Sequence, residues 1–175
     1  MKDVFILPER KWRVDEKVEL IFGKDKKGNL RYRYYLSCTW DESLQRVTYI
    51  LLNPSISDRE ICDSTVNRCI NLAKNWGYGA VEILNLFAYR AQDPKEMNHL
   101  HDREITGMLN DKYIAETCKN ADIIVAGWGK EHLRDRHINV ILMLSSYDIY
   151  CIKKENGYPR HPSRASNVDK PILYR

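Results

Sequence analysis

The stretch RVTYILLNPS, residues 46–55, decides the fold. Residues 46–53 form a nearly continuous apolar run of strand length, closed by Asn53, Pro54 and Ser55. A half-wet strand alternates apolar and polar residues, whereas an unbroken run belongs in a sheet covered on both faces. The polar loop after it leads into DSTVNRCINLAKNWG, residues 63–77, where Val66, Cys69, Ile70 and Ala73 keep helical spacing. Asp63 or Ser64 can cap its start and Gly77 can end it, so the two segments make one β–α unit.

The unit then repeats. AVEILNLF (80–87), ADIIVAGWG (121–129) and YDIYCIKK (147–154) read as strands, and HDREITGMLNDKYIAETCKN (101–120) and EHLRDRHINVILMLSS (131–146) read as helices. The expected fold class is α/β: a three-layer α/β/α arrangement around a central four-stranded parallel sheet, with strands near 47–53, 80–86, 122–127 and 148–153. Upstream, KVELIFGKDKKGNLRYRYYLSCTW (17–40) reads as an antiparallel hairpin around a turn at Asp25 to Asn29. The organisation expected is a single domain over 1–175: a hairpin extension over 1–45, the α/β core over 46–165 and a C-terminal tail over 166–175.

At 175 residues, 43% of them hydrophobic and 30% charged, the chain can bury a real core without staples. No run reaches the ~18 apolar residues of a membrane span, and the start MKDVFILPERKWR lacks the apolar stretch of a signal peptide. A cytoplasmic protein without a membrane partner is expected. Cys38, Cys62, Cys69, Cys118 and Cys151 include no CxxC pair, which points to buried reduced thiols rather than a metal centre. The formal charge of +4 permits a polyanionic partner without demanding one.

In an open α/β sheet, ligands bind beyond the carboxyl ends of the strands. Each predicted strand here ends in a conspicuous group: Asn53-Pro54-Ser55, then Asn85 with Phe87 and Arg90, then Trp128-Gly129, then the loop ENGYPRHPSRA, residues 155–165. In that loop Pro159 and Pro162 stiffen the backbone around His161, while Arg160, Ser163 and Arg164 add donors. Taken singly, an asparagine reads as a cap, an aromatic as a core ring and a histidine as a turn residue; their coincidence at one rim makes a site. Two amides, stacking faces and a basic loop suit a nucleobase or nucleotide, with no Gly-rich phosphate loop and no metal-binding set in view. Ser55 and Ser163 lack the glycines of a nucleophile elbow, so a serine hydrolase fits less well.

The order LLNPS, ILNLF, VAGWG, HPSR resembles the uracil-DNA glycosylase superfamily over about residues 46–165. The whole chain is similar to a bacterial and phage family catalogued as domain of unknown function 1643, with the pattern LNPS-x-x-D, D-x-T, NLF-x-x-R, WG and G-x-P-x-HP, to which Asp58, Asp63, Thr65 and Arg90 also conform. The glycosylase resemblance implies that Asn53 positions water, Asn85 reads the base edge, Phe87 contributes to the base pocket and His161 stabilises the departing base. Leu52 and Ser55 stand where the mismatch-specific branch has glycines. Asn53 and His161 are the catalytic candidates, and Pro54, Ser55, Asn85, Phe87, Arg90, Trp128, Arg160, Ser163 and Arg164 the substrate-binding ones. No cofactor and no metal is expected, and the expected partner is a nucleic acid, DNA foremost, or a nucleotide. The alternative is a non-catalytic nucleotide or nucleic-acid recognition module that uses the same pocket.

Overall fold

The computed structural model describes residues 7–175; residues 1–6, where the charged N-terminal stretch begins, lie outside it. Strands β1 (Lys17–Lys24), β2 (Leu30–Thr39), β3 (Arg46–Leu51), β4 (Ala80–Asn85), β5 (Ile123–Ala126), β6 (Ile149–Cys151) and β7 (Ile172–Leu173) form one mixed sheet in the order β7-β6-β5-β3-β4-β2-β1. The strands read from the β–α repeat, β4, β3, β5 and β6, pair parallel in its middle. The sheet nevertheless has seven strands rather than four. The β1–β2 hairpin is joined to it edge to edge, with Leu36 opposite Ile83 and Cys38 opposite Val81. The reason is that β4 is buried along its whole length and needs a partner on both edges. Part of the expected tail supplies the other border, where Ile172 and Leu173 pair antiparallel with β6.

Period-two alternation sorts the apolar runs onto two faces. Val47, Tyr49, Leu51, Val81, Ile83 and Val125 face α1 (Ser64–Asn75), whose Val66, Cys69, Ile70 and Ala73 close one core. Ile50, Leu84, Ile124, Ala126, Ile149 and Cys151 face the other way, against Ile105 of α2 (Asp102–Thr106), Ile114 and Cys118 of α3 (Asn110–Lys119) and Val140 of α4 (Arg136–Met143). Asp63 caps α1 by accepting the Val66 amide at 2.8 Å.

Two helices differ from expectation. The span 101–120 breaks at Gly107, whose φ of 80° lies in the left-handed region that favours glycine. A Cβ there would sit 3.0 Å from the Tyr34 ring. The span 131–146 becomes helical only at Arg136, because His132, Arg134 and Asp135 take left-handed backbone angles before it. All five cysteines are buried and free. Among the described residues no helix is long and apolar enough to cross a membrane.

Candidate functional site

The parallel strands deliver Asn53, Asn85 and Gly127 to one edge of the sheet, tied by backbone hydrogen bonds from Leu86 to Leu51 (2.8 Å) and from Gly127 to Ile50 (2.9 Å). Alternation along β4 turns Asn85 toward the α1 face, where Leu51 lies beside it in register. Asn85 is 2% exposed, and neither its Nδ2 nor its Oδ1 has a hydrogen-bond partner. Its backbone carbonyl is held instead, by Nδ2 of the buried Asn110 at 2.9 Å.

His161 reaches the same face from the far end of the chain. The run ENGYP forms a two-residue hairpin turn at Asn156-Gly157, between the paired strands Lys154–Glu155 and Tyr158–Pro159. Arg160 donates its amide back to Lys153, and Pro162–Arg164 make one 3-10 turn with His161 at its cap. Pro162 packs so closely on Gly127 that a Cβ there would lie 2.9 Å from the proline ring and 2.9 Å from Leu51. This contact seats the loop on the sheet edge.

The protonation of His161 follows from its neighbours. The Ser163 backbone amide, which can only donate, points at Nδ1 from 3.3 Å, and the Ser163 hydroxyl lies 2.8 Å from the same nitrogen. Nδ1 therefore accepts, and the neutral ring carries its proton on Nε2. Burial, reinforced by the Arg164 charge and opposed by Asp63, pushes the imidazole down to about 4. It stays a neutral donor at physiological pH.

Asn53 is half-buried, and its Nδ2 donates to the Ala91 carbonyl at 2.8 Å and to the Pro54 carbonyl at 3.1 Å. Two carbonyl acceptors fix which end of the amide is nitrogen, so Oδ1 is left to accept from elsewhere. Pro54 is buried and its carbonyl also takes the Ala91 amide; Ser55 is half-buried beside it.

The remaining candidates lie elsewhere. Phe87 and Trp128 are buried in the core on the α2–α4 face. Phe87 lines a cavity of about 510 Å³ there with Arg103, Thr106 and Arg136. Trp128 meets Tyr174 edge-on at 6.0 Å, and its Nε1 is unpaired. The Arg160 guanidinium is held by Glu155, with Nε at 2.9 Å. Arg164 lines a separate cavity of about 460 Å³ with Lys130, Lys154 and Tyr158. Arg90 lies over the Phe22 ring at 5.0 Å.

One buried charge at this edge escaped the sequence reading. Arg33 is 2% exposed on β2, and burial lowers its guanidinium to about 10, with the Asp63 charge opposing the shift. The signal was present in RYRYY, residues 31–35, as an arginine inside a strand bound for burial on both faces. Glu82 is a second buried charge, but it is satisfied by Tyr35, Thr48 and Arg46.

No curated protein and no solved structure matches the chain. Residues 33–163 match the family described as Protein of unknown function (DUF1643), a span that runs from the buried Arg33 through the loop bearing His161 and Ser163, and the chain belongs to that family.

Proposed function

We propose that the chain is a DNA glycosylase-like hydrolase that cleaves the N-glycosidic bond of a uracil-like, mismatched or modified base, on a three-layer fold of the uracil-DNA glycosylase kind. The observation that carries this reading is the Asn85 carboxamide, buried with donor and acceptor both unmet. An unpaired buried polar group costs about 1–3 kcal/mol, and a ligand that offers an acceptor beside a donor removes that cost. The edge of a uracil-like base does so, giving its ring N–H to Oδ1 and taking Nδ2 on a carbonyl oxygen. When the glycosidic bond breaks, its electron pair leaves with the base. The His161 Nε2–H opposes the negative charge that collects on the base, in a setting where it stays neutral. Asn53 Oδ1 holds the water whose oxygen bonds to the anomeric carbon, and the water's proton passes to solvent.

A second reading has its own support. An amide is too weak a base to deprotonate water, and Asn53 Nδ2 is committed to two main-chain carbonyls. A nucleotide or nucleic-acid recognition module would use the same pocket without chemistry. Release of free base from a panel of uracil, mismatched and modified-base oligonucleotides, with alkali-sensitive strand breaks as a second readout, separates the two. Wild type should release at least one base, and His161→Ala should lower that rate by about 10²–10³ with binding nearly intact. Asn85→Ala should mainly relax the choice of base. If wild type binds substrates that it never cleaves, and His161→Ala binds them equally, the recognition reading replaces the enzymatic one.

A further inference from the structure

Two arginines, Arg33 and Arg90, stand where β2 meets the segment leaving Asn85. The Arg33 side chain has an unpartnered Nε, and its Nη1 reaches the Ser57 carbonyl only in a long 3.5 Å contact. Arg90 repels Arg33, also has a buried and unpartnered Nε, and reaches the Leu30 carbonyl only at 3.4 Å. Neither forms an ion pair within 4.0 Å among the described residues. The Asp63 charge favours Arg33 and the Asp58 charge favours Arg90, but neither acid closes an ion pair: Asp63 Oδ1 caps α1 through Val66, and Asp58 Oδ1 takes the amides of Glu60 and Ile61. Those carboxylates leave the Nε–H donors of both arginines unmet, and the two guanidiniums repel each other. An anion seated between them reverses the sign of that interaction.

We infer that Arg33 and Arg90 form a phosphate-binding subsite that holds a phosphate of the nucleotide whose base Asn85 reads, an inference that rests on the base-reading role given to Asn85. The placement fits one nucleotide. The Arg33 amide bonds to the Ala88 carbonyl at 2.9 Å and the Arg90 amide to the Arg31 carbonyl at 2.8 Å, so both arginines stand where β2 meets the segment leaving Asn85. Neighbouring strands lie ~5 Å apart, and Arg33 extends toward Ser57 and Asp63, on the α1 face to which Asn85 also turns. The Arg90 guanidinium carbon lies over the Phe22 ring at 5.0 Å, a contact that restrains the side chain. A planar fork of this kind matches two phosphate oxygens.

Calorimetric titration of the whole chain tests the subsite with inorganic phosphate, 2′-deoxyuridine, its 5′-monophosphate and a uracil-containing oligonucleotide without a terminal phosphate. The monophosphate should bind about 10–100-fold more tightly than the nucleoside. Arg90→Gln and Arg33→Gln should each reduce that advantage to about threefold or less, with nucleoside affinity unchanged. Arg90 is only half-buried, so its variant remains informative if Arg33→Gln does not fold. Inorganic phosphate should raise the Tm of wild type and not of Arg90→Gln. Arginine-dependent binding of the oligonucleotide identifies a chain phosphodiester as the natural group, and dependence confined to the monophosphate identifies a terminal phosphate. A phosphate advantage that is absent in wild type, or that survives in both variants, overturns the subsite. Arginine-dependent phosphate binding without base release sinks the glycosylase reading alone; base release without it sinks the subsite alone.

Discussion

A histidine that receives an amide hydrogen on one ring nitrogen, beside an arginine and half-shielded from water, has no easy way to take up a second proton. His161 is in that position, with Ser163 at Nδ1 and Arg164 nearby. Its folded value of about 4 lies below the 6.5 of the free side chain. Above about pH 6.5 neither the folded nor the unfolded chain holds the proton, and the ring has no effect on pH dependence. Between 6.5 and 4 the unfolded chain binds a proton that the folded chain refuses, so stability falls as pH falls. With partial exposure discounted, the loss is on the order of 2 kcal/mol. Urea unfolding at intervals from pH 7.5 to pH 4 should show this decline in wild type and a flatter one in His161→Gln. Identical slopes in the two proteins would refute the buried neutral ring. The proline-flanked loop was legible because Pro159 and Pro162 are themselves geometric instructions. The burial that sets the proton affinity was not, since it depends on Gly127 and α1, remote in sequence.

Among the elements, β3 to β6 were legible because a fully buried strand announces itself by an unbroken apolar run. What escaped reading were features made by a single backbone angle, such as the break at Gly107 and the late start of α4. A register shift between Ile21 and Phe22, opposite Tyr35 and Arg33, escaped as well. That irregularity sets Tyr34 against Tyr113 of α3 while Arg33 reaches Ser57, so a binary pattern of apolar and polar residues could not have placed the arginine. Gly127 connects strand to function most directly. A methyl group there meets the flexible end of Leu51 and the rigid ring of Pro162. Leu51 can turn aside and the proline cannot, so Gly127→Ala should displace the His161 loop outward. The expected cost is about 1–3 kcal/mol by the measure of overpacked cores, read as a lower urea midpoint. The His161 ring resonances should shift with it. If they stay in place while stability drops, the proline contact is packing and not the device that seats the histidine.

At the scale of the molecule, alternation decides which candidates can act together. The carboxyl edge brings Asn85 and the Pro162 turn that carries His161 to the α1 face and Phe87 and Trp128 to the other, while Arg160 engages Glu155 and Arg164 lines a separate cavity. An edge can be inferred from strand order, whereas a face requires the register of each residue, and loops beyond the strand ends obey no period. The segment 166–175, read as a tail, is instead packed into the fold beside the His161 loop. The Tyr174 amide bonds to the Ile149 carbonyl at 2.7 Å, its ring meets Trp128 edge-on, and its hydroxyl reaches the Gly157 carbonyl at 3.1 Å, in the hairpin turn that leads to His161. One residue thus connects the border strand, the core and the hairpin turn before His161. Removing only the hydroxyl, in Tyr174→Phe, should cost about 1 kcal/mol. Tyr174→Ala also opens the core beneath Trp128 and should cost about 3 kcal/mol. The larger deletion should free the hairpin turn as well, so limited proteolysis near residues 156–160 should accelerate in Tyr174→Ala and stay close to wild type in Tyr174→Phe. Equal destabilisation by both substitutions would mean that the hydroxyl alone ties the tail down, and that the ring contributes nothing to holding the loop.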